Sequence, residues 1–162
     1  PNIDIQKVMY MLAVHELEET IIGDLTYLQI DPVEKEKIGH EAVESILAEL
    51  LNGEEIKSLI YEFDEKKTDE AIFAYHCDKL ECDIQCKIYD EGNYVDLNDQ
   101  DNNQTKDEKV KKLLEEDKLS WSEMWLKYDK KKFIDEKNFL EVWEYVKNNK
   151  ISLKNIAFYV KV

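Results

Sequence analysis

The sequence predicts an all-α protein, and three observations support this fold class. Glycine and proline are scarce, with four and two occurrences in 162 residues, too few for the tight turns of an all-β sandwich. Long segments carry apolar side chains at the spacing of a helix face. A hydrophobic content of 43% with nine tyrosines and three tryptophans is sufficient for a substantial core. We expect a helical bundle over residues 1–92 and a C-terminal helical extension, packed on it, over 93–162.

Composition excludes several classes of partner. The net charge of −15 argues against nucleic acid and anionic membranes, because both are bound through basic side chains. The negative charge is compatible with a small phosphorylated substrate that is held by a metal ion. No apolar run reaches the roughly 18–20 residues of a membrane span, and no signal peptide is evident. The three cysteines form no C-x-x-C pair and indicate reduced, structural thiols in a cytoplasmic protein.

The first predicted helix begins at a capping residue, Asp4 or Asn2, and continues to Gly23. Its apolar side chains recur at helical spacing and cover most sides, which predicts a central buried helix. Such a helix would deliver His15 and Glu16 rigidly to the floor of a site. The apolar positions are Ile5, Val8, Met9, Met11 and Leu12.

The end of this helix concentrates ionisable side chains. On a helix, His15, Glu18 and Glu19 share one face, with Glu16 to its side. Converging acids repel one another without a cation, so a divalent metal explains the cluster. A charged, solvent-exposed helix face with an incidental histidine explains it equally well.

A turn follows the cluster. Gly23 ends the helix and allows Asp24 to turn back toward the carboxylates. Residues 23–33 form the predicted loop.

Three further helices are predicted before residue 91. One covers 33–51, is stopped by Asn52-Gly53 and carries His40 near its start, where a histidine is more often a surface residue than a ligand. A shorter one covers 54–63. Thr68 caps the third, over 69–90.

The third of these helices carries an aspartate within an apolar stretch. Asp78 must be paired or bind a metal if it is buried, and a salt bridge to Lys79 is the alternative to ligation. His76 lies two residues away, on a different face, and is a poor co-ligand.

The remaining elements are simpler to describe. Ser120 and Glu123 form a capping box that opens a helix. Aromatic stripes on the C-terminal helices favour a core over a base-stacking platform, and a homodimer interface is the alternative place for some of them. We predict a polar loop over 99–105, helices over 107–116, 120–128 and 135–148, and either strand or helix over 156–162.

Three motifs in this order resemble those of HD-domain metal-dependent phosphohydrolases, in the branch of 5′-deoxynucleotidase-like proteins. Residues 15–24 read HELEETIIGD, beside the family's H-D-x-x-E-x-x-x-G-D. Residues 62–73 read EFDEKKTDEAIF, beside E-F-x-x-x-x-T-x-E-A-x-F, and residues 78–80 read DKL. The resemblance covers about residues 3–90.

The resemblance implies an all-α fold that binds a divalent cation through the pattern H…HD…D. His15, Glu16 and Asp78 would be metal ligands, and His40 is the stand-in for the family's first histidine if that residue is lacking. Lys79 is a further candidate site residue, beside Asp78. Imidazole with carboxylates suits Mn, Co, Fe or Zn, and Mg less well.

The resemblance also implies catalytic roles for two carboxylates. Glu19 would orient or deprotonate the attacking water, and Asp24 would protonate the leaving alkoxide or help to position that water.

Two departures from the family pattern are evident. Glu16 stands where the family has Asp, and it is one methylene longer. The family's first histidine would lie on a helix upstream of Pro1.

We therefore expect an enzyme that hydrolyses nucleoside 5′-monophosphates to nucleoside and phosphate. The alternative is a degenerate HD domain that serves as a non-catalytic metal- or ligand-binding regulatory module. A third hypothesis, a helical interaction protein whose acidic face binds a basic partner, predicts no metal.

Overall fold

The computed structural model describes residues 2–25, 29–96 and 108–151, except for the side chain of Lys109. Every regular element in these ranges is helical, which confirms the all-α prediction. The chain divides into two compact units, Pro1–Tyr75 and His76–Val162, with the division inside the fifth helix. None of the described helices combines the length and apolarity that crossing a bilayer requires.

The regular elements described in both units are helices. The elements are α1 Ile5–Val14, α2 Glu19–Ile22, α3 Pro32–Leu47, α4 Gly53–Glu65, α5 Asp69–Glu91, α6 Glu108–Lys111 with a π-helical turn Lys112–Glu116, α7 Trp121–Asp129 with a 3-10 turn Lys130–Phe133, and α8 Lys137–Asn148. The predicted loop 99–105 and the ending 156–162 lie outside the described residues. The predicted domain boundary at 92/93 stays a prediction.

Two predicted caps are present in the first unit. The Asp4 side chain accepts a hydrogen bond from the backbone N–H of Lys7 at 3.1 Å and begins α1. The Thr68 hydroxyl accepts one from the N–H of Ala71 at 3.2 Å and begins α5. Local side-chain chemistry therefore sets both helix starts.

The predicted continuous helix to Gly23 is wrong. Helix α1 ends at Val14, and α2 begins only at Glu19. Residues 15–18 form turns closed by bonds such as Leu17 N–H to the Val14 carbonyl, 3.1 Å. Gly23 does end α2, with a φ of 76° that favours glycine.

The prediction that α1 is buried on most sides is also wrong. Val8 and Met11 are buried in the first unit, but Met9 is 64% exposed and Ile5 and Tyr10 are more than half exposed. The helix therefore presents one face to the core and a second apolar face to solvent, which periodicity cannot distinguish because both faces are apolar.

Asn52-Gly53 does not stop the helix that precedes it. Helix α3 already ends at Leu47, and Gly53 is the first residue of α4. A Cβ at Gly53 would lie 2.3 Å from the Leu47 carbonyl oxygen. The glycine is needed for this close backbone approach.

Two apolar clusters form the core of the first unit. One joins α1 to α4 and the start of α5, and the other joins α3 to α4. The buried members are Val8, Met11, Phe63, Ala71 and Ala74 in the first cluster, and Val43, Leu47 and Ile60 in the second.

Two more clusters form the core of the second unit. The predicted aromatic stripes lie inside them, because Trp121 and Trp143 are both buried. This confirms the core interpretation. The buried members are Leu80, Leu126, Phe133, Trp143 and Val146 in one cluster, and Val110, Trp121 and Met124 in the other.

The second unit also buries two aspartates. Asp83 of α5 is 0% exposed and Asp129, at the end of α7, is 2% exposed. Lys132 Nζ lies 2.7 Å from Asp129 Oδ1, whereas the Asp83 carboxyl lies near the indole N–H of Trp143 without a well-formed hydrogen bond among the described residues. Burial raises the pKa of Asp83 to about 8, and the charge of Asp129 adds to this rise.

The predicted capping box at the start of α7 is confirmed. The Ser120 hydroxyl accepts the N–H of Glu123, and the Glu123 carboxylate accepts the N–H of Ser120 at 2.9 Å.

We expect Ser120→Ala to lower the free energy of unfolding by about 1 kcal/mol, measured by guanidinium denaturation. Ser120→Asp, which keeps the cap acceptor, serves as the control and should cost about half as much or less; equal losses would contradict the capping role.

Candidate metal and catalytic centre

His15 lies just after the end of α1, and its ring is held from two sides. Nδ1 lies 3.0 Å from the Leu12 carbonyl oxygen. A carbonyl can only accept, so Nδ1 carries the proton and Nε2 the lone pair in the neutral ring. The ring also packs at a tilt on Phe63, with 4.7 Å between centroids. This arrangement orients Nε2 as a ligand atom.

The Glu16 carboxylate accompanies that nitrogen. Oε1 of Glu16 lies 3.7 Å from His15 Nε2, and the Glu16 side chain is 60% exposed. The structure thus brings together two of the three predicted metal ligands within the first unit. Imidazole nitrogen and carboxylate oxygen are a donor pair suited to a divalent transition metal.

Glu19 begins α2 and is more enclosed, with 20% of its side chain exposed. Its Oε1 accepts a hydrogen bond from Lys35 Nζ at 3.2 Å. Burial raises the pKa of Glu19 above its ordinary value, the Lys35 ammonium offsets part of this, and the charges of Asp24 and Glu16 raise it again. The two predicted catalytic carboxylates, Glu19 and Asp24, are therefore close enough to interact electrostatically.

Glu18 has a different environment from the one predicted. It lines a cavity of about 190 Å³ beside α3, and a Cβ at Gly39 would lie 3.2 Å from its Cγ. Burial raises the pKa of Glu18, and the charge of Asp64 adds to this rise. Glu18 Oε2 is buried without a hydrogen-bond partner among the described residues.

His40 is engaged elsewhere in the first unit. Its Nε2 lies 2.9 Å from Asp64 Oδ2, and its ring stacks on Tyr61 with 4.1 Å between centroids. It lines the same cavity as Glu18. In the described part of the chain, His40 is thus paired with Asp64, and no candidate metal group includes it.

Asp78 and Lys79 lie on α5 within the second unit. Lys79 Nζ is 2.7 Å from Asp78 Oδ2, and the Asp78 side chain is 15% exposed. The salt bridge that was the alternative to metal ligation is therefore present. A carboxylate has acceptor sites on both oxygens, so this ion pair is compatible with ligation as well.

Sequence reasoning missed Lys35. No motif marks it, and Lys37 has the same charge on the same helix but is exposed. The available signal was electrostatic, since several carboxylates between residues 16 and 24 require a cation nearby. Which lysine supplies it depends on how α3 packs, and periodicity does not determine that.

Comparison with known proteins identifies the family. The sequence profile of the HD domain matches residues 1–134, and the chain belongs to the HD domain family. The match includes the candidate centre and continues past the last residue of the three motifs.

Two curated proteins are similar over part of the chain. The 5′-deoxynucleotidase hdd1 of Schizosaccharomyces pombe is 33% identical over 97 residues, which are 56% of this chain and 49% of that protein. The 5′-deoxynucleotidase HDDC2 of Dictyostelium discoideum is 34% identical over 92 residues, 55% and 48% of the two chains. The chain spans about half the length of these relatives. No solved structure matches it.

Proposed function

We propose that this protein is a metal-dependent phosphohydrolase that converts nucleoside 5′-monophosphates to nucleosides and phosphate. The observation that carries the proposal is the pairing of an oriented His15–Glu16 donor set with the enclosed Glu19 carboxylate. Membership of the HD domain family and similarity to two proteins named 5′-deoxynucleotidases support it. The substrate class follows from those names and is our extension to this chain.

The proposed metal ligands are His15, Glu16 and Asp78. Each offers one ligand atom, an imidazole nitrogen or a carboxylate oxygen. The His15 donor set fits a divalent cation because its Nδ1 proton is bound to a backbone carbonyl. Such an ion supplies positive charge against the phosphoryl oxygens and makes a nearby water more acidic. Mn, Co, Fe or Zn is the expected metal.

Helix continuity supports the assignment of Asp78. Helix α5 is unbroken from Asp69 to Glu91. Asp78 follows Ala71 by seven residues and Ala74 by four, so all three share one face of the helix. Ala71 and Ala74 pack in the cluster that contains Met11, one turn before His15. Asp78 therefore continues, along α5, the helix face on which Ala71 and Ala74 pack in the first unit.

The two remaining carboxylates complete the chemistry. Glu19 takes a proton from the attacking water. The water oxygen forms a bond to phosphorus as the bond between phosphorus and the 5′ oxygen breaks. Asp24 supplies a proton to the departing alkoxide or holds the water in line. The enclosure of Glu19 favours this role, because burial brings its pKa closer to neutral pH.

Two further features belong to the proposal. We place the protein in the cytoplasm, in agreement with the three free cysteines Cys77, Cys82 and Cys86. We also expect a homodimer, for which the exposed apolar side chains of α1 offer contact area.

Phosphate release from ribo- and deoxyribonucleoside 5′-monophosphates tests the function. After chelation, the whole gene product should be inactive, and Mn²⁺ or Co²⁺ should restore release more strongly than Mg²⁺. If no phosphate is released with any metal, the proposal is overturned and the non-catalytic regulatory module is favoured. The presence of Glu16 where the family has Asp is the observation that suggests this alternative.

Calorimetric titration with Mn²⁺ separates metal binding from catalysis. His15→Gln should lower the affinity by at least about tenfold. His40→Gln is the matched control and should leave it unchanged, because His40 is paired with Asp64. Equal losses in the two variants would contradict the ligand assignment.

A further inference from the structure

The Lys35–Glu19 contact joins α3 to the start of α2. Lys35 Nζ donates to Glu19 Oε1 at 3.2 Å, and 29% of the Lys35 side chain is exposed. We propose that Lys35 is a positioning residue that holds Oε1 of Glu19 and leaves Oε2 to take the proton from the attacking water. The inference rests on the proposed function of Glu19 and adds a residue that neither the motifs nor the comparisons identify.

The orientation of α3 makes this contact possible. Asp31 caps the helix, with its Oδ1 accepting the N–H of Val33 at 2.9 Å, and Pro32 occupies the first helical position. Lys35 and Gly39 are one turn apart and share a face. Gly39 lies close to Glu18, since a Cβ added at Gly39 would lie 3.2 Å from Cγ of Glu18.

The neighbouring glutamate shows that the contact is specific. Glu18 and Glu19 are adjacent and both are partly buried, yet only Glu19 receives the Lys35 ammonium as a hydrogen-bond donor. Glu18 Oε2 has no hydrogen-bond partner among the described residues. The lysine is therefore aimed at one of two available carboxylates.

The surroundings of Glu19 explain why an anchor is needed. Asp24 and Glu16 place negative charge near the Glu19 carboxylate, which repels it. Helix α2 has only four residues, so its own backbone gives little rigidity. An ion pair to the longer α3 restricts both the rotamer of Glu19 and the position of α2.

Steady-state kinetics of Lys35→Met test the role. We expect kcat to fall about 10- to 100-fold because the proton acceptor is misplaced, with KM changed less than about twofold. Lys35→Arg should recover most of kcat, since it retains the charge and the donor. Lys37→Met removes the same charge from an exposed position of α3 and serves as the control.

A double-mutant cycle identifies Glu19 as the group through which Lys35 acts. In the Glu19→Gln background, adding Lys35→Met should change the residual rate less than about twofold, because the positioned group is already lost. A full additional loss in that background would overturn the proposal.

Ammonium NMR of the metal-free protein supplies a readout that does not need activity. The Lys35 side-chain ¹⁵N signal should move strongly in Glu19→Gln, which alters the hydrogen-bond acceptor. It should move clearly less in Glu18→Gln, because Glu18 acts on Lys35 through its charge alone. If wild type releases no phosphate but this pattern is found, the proposed function fails and the ion pair stands. If wild type is active and Lys35→Met keeps its kcat, the positioning role fails and the function stands.

Discussion

Replacement of Glu19 by Gln should lower metal-dependent phosphate release by about 10²–10⁴-fold. Glutamine has the same shape and still accepts the Lys35 hydrogen bond through its amide oxygen, but it cannot take a proton from water. Mn²⁺ affinity should change less than about threefold, because the proposed ligands are unaltered. Initial rates and calorimetry on the same preparations provide the measurement.

Glu18→Gln is the matched control for this prediction. It removes the same charge one residue earlier, on a side chain that lies against Gly39 and the cavity beside α3. We expect it to retain at least about a third of the wild-type rate. Equal losses in the two variants would show that charge in this turn, and not a proton acceptor at Glu19, supports activity.

Replacement of Asp83 by Asn should stabilise the protein at alkaline pH and flatten its stability profile. The pKa of Asp83 is raised from 3.8 to about 8 by burial and by the charge of Asp129, so the folded state binds a proton that the unfolded state releases. The stability that this bound proton contributes to the folded state is fully present below about pH 4 and is lost as the pH rises to about 8. Its slope is up to about 1.4 kcal/mol per pH unit.

Guanidinium denaturation at pH 5, 7 and 8.5 measures this effect. Asparagine cannot ionise, so we expect the free energy of unfolding of Asp83→Asn to exceed that of wild type by about 1–4 kcal/mol at pH 8.5. The free energy of unfolding of the variant should depend little on pH in this range. Asp135→Asn makes the same charge change at an exposed site and should follow the wild-type profile. A variant less stable than wild type at all three pH values would contradict a buried neutral carboxyl at this position.

Local patterns predicted much of the fold. The helices over 54–63, 69–90 and 135–148 are found within a few residues of their predicted bounds, because apolar periodicity and caps act over one or two turns. The Ser120 capping box was predictable for the same reason. The motif order predicted the family, which residues 1–134 confirm.

The errors have a common origin in non-local packing. The turn at residues 15–18 interrupts a stretch with helical periodicity, since α1 packs on α4 while α2 packs on α3. The exposed face of α1 also carries large apolar side chains, Ile5 and Met9 among them, so only the packed structure shows which face is buried. The sequence predicts that Gly53 stops a helix, but Gly53 is the first residue of α4. It is needed there because the Leu47 carbonyl oxygen leaves no room for a Cβ.

The sequence by itself determined the fold class, most helix positions, the family and the set of ionisable residues from His15 to Asp24. These properties depend on neighbours within a few residues, which the linear order specifies. The tertiary structure alone decided that Lys35 pairs with Glu19, that His40 pairs with Asp64 and that Asp83 is buried near Asp129. Such partners come from different helices, and their contacts depend on packing angles and rotamers that no local pattern encodes.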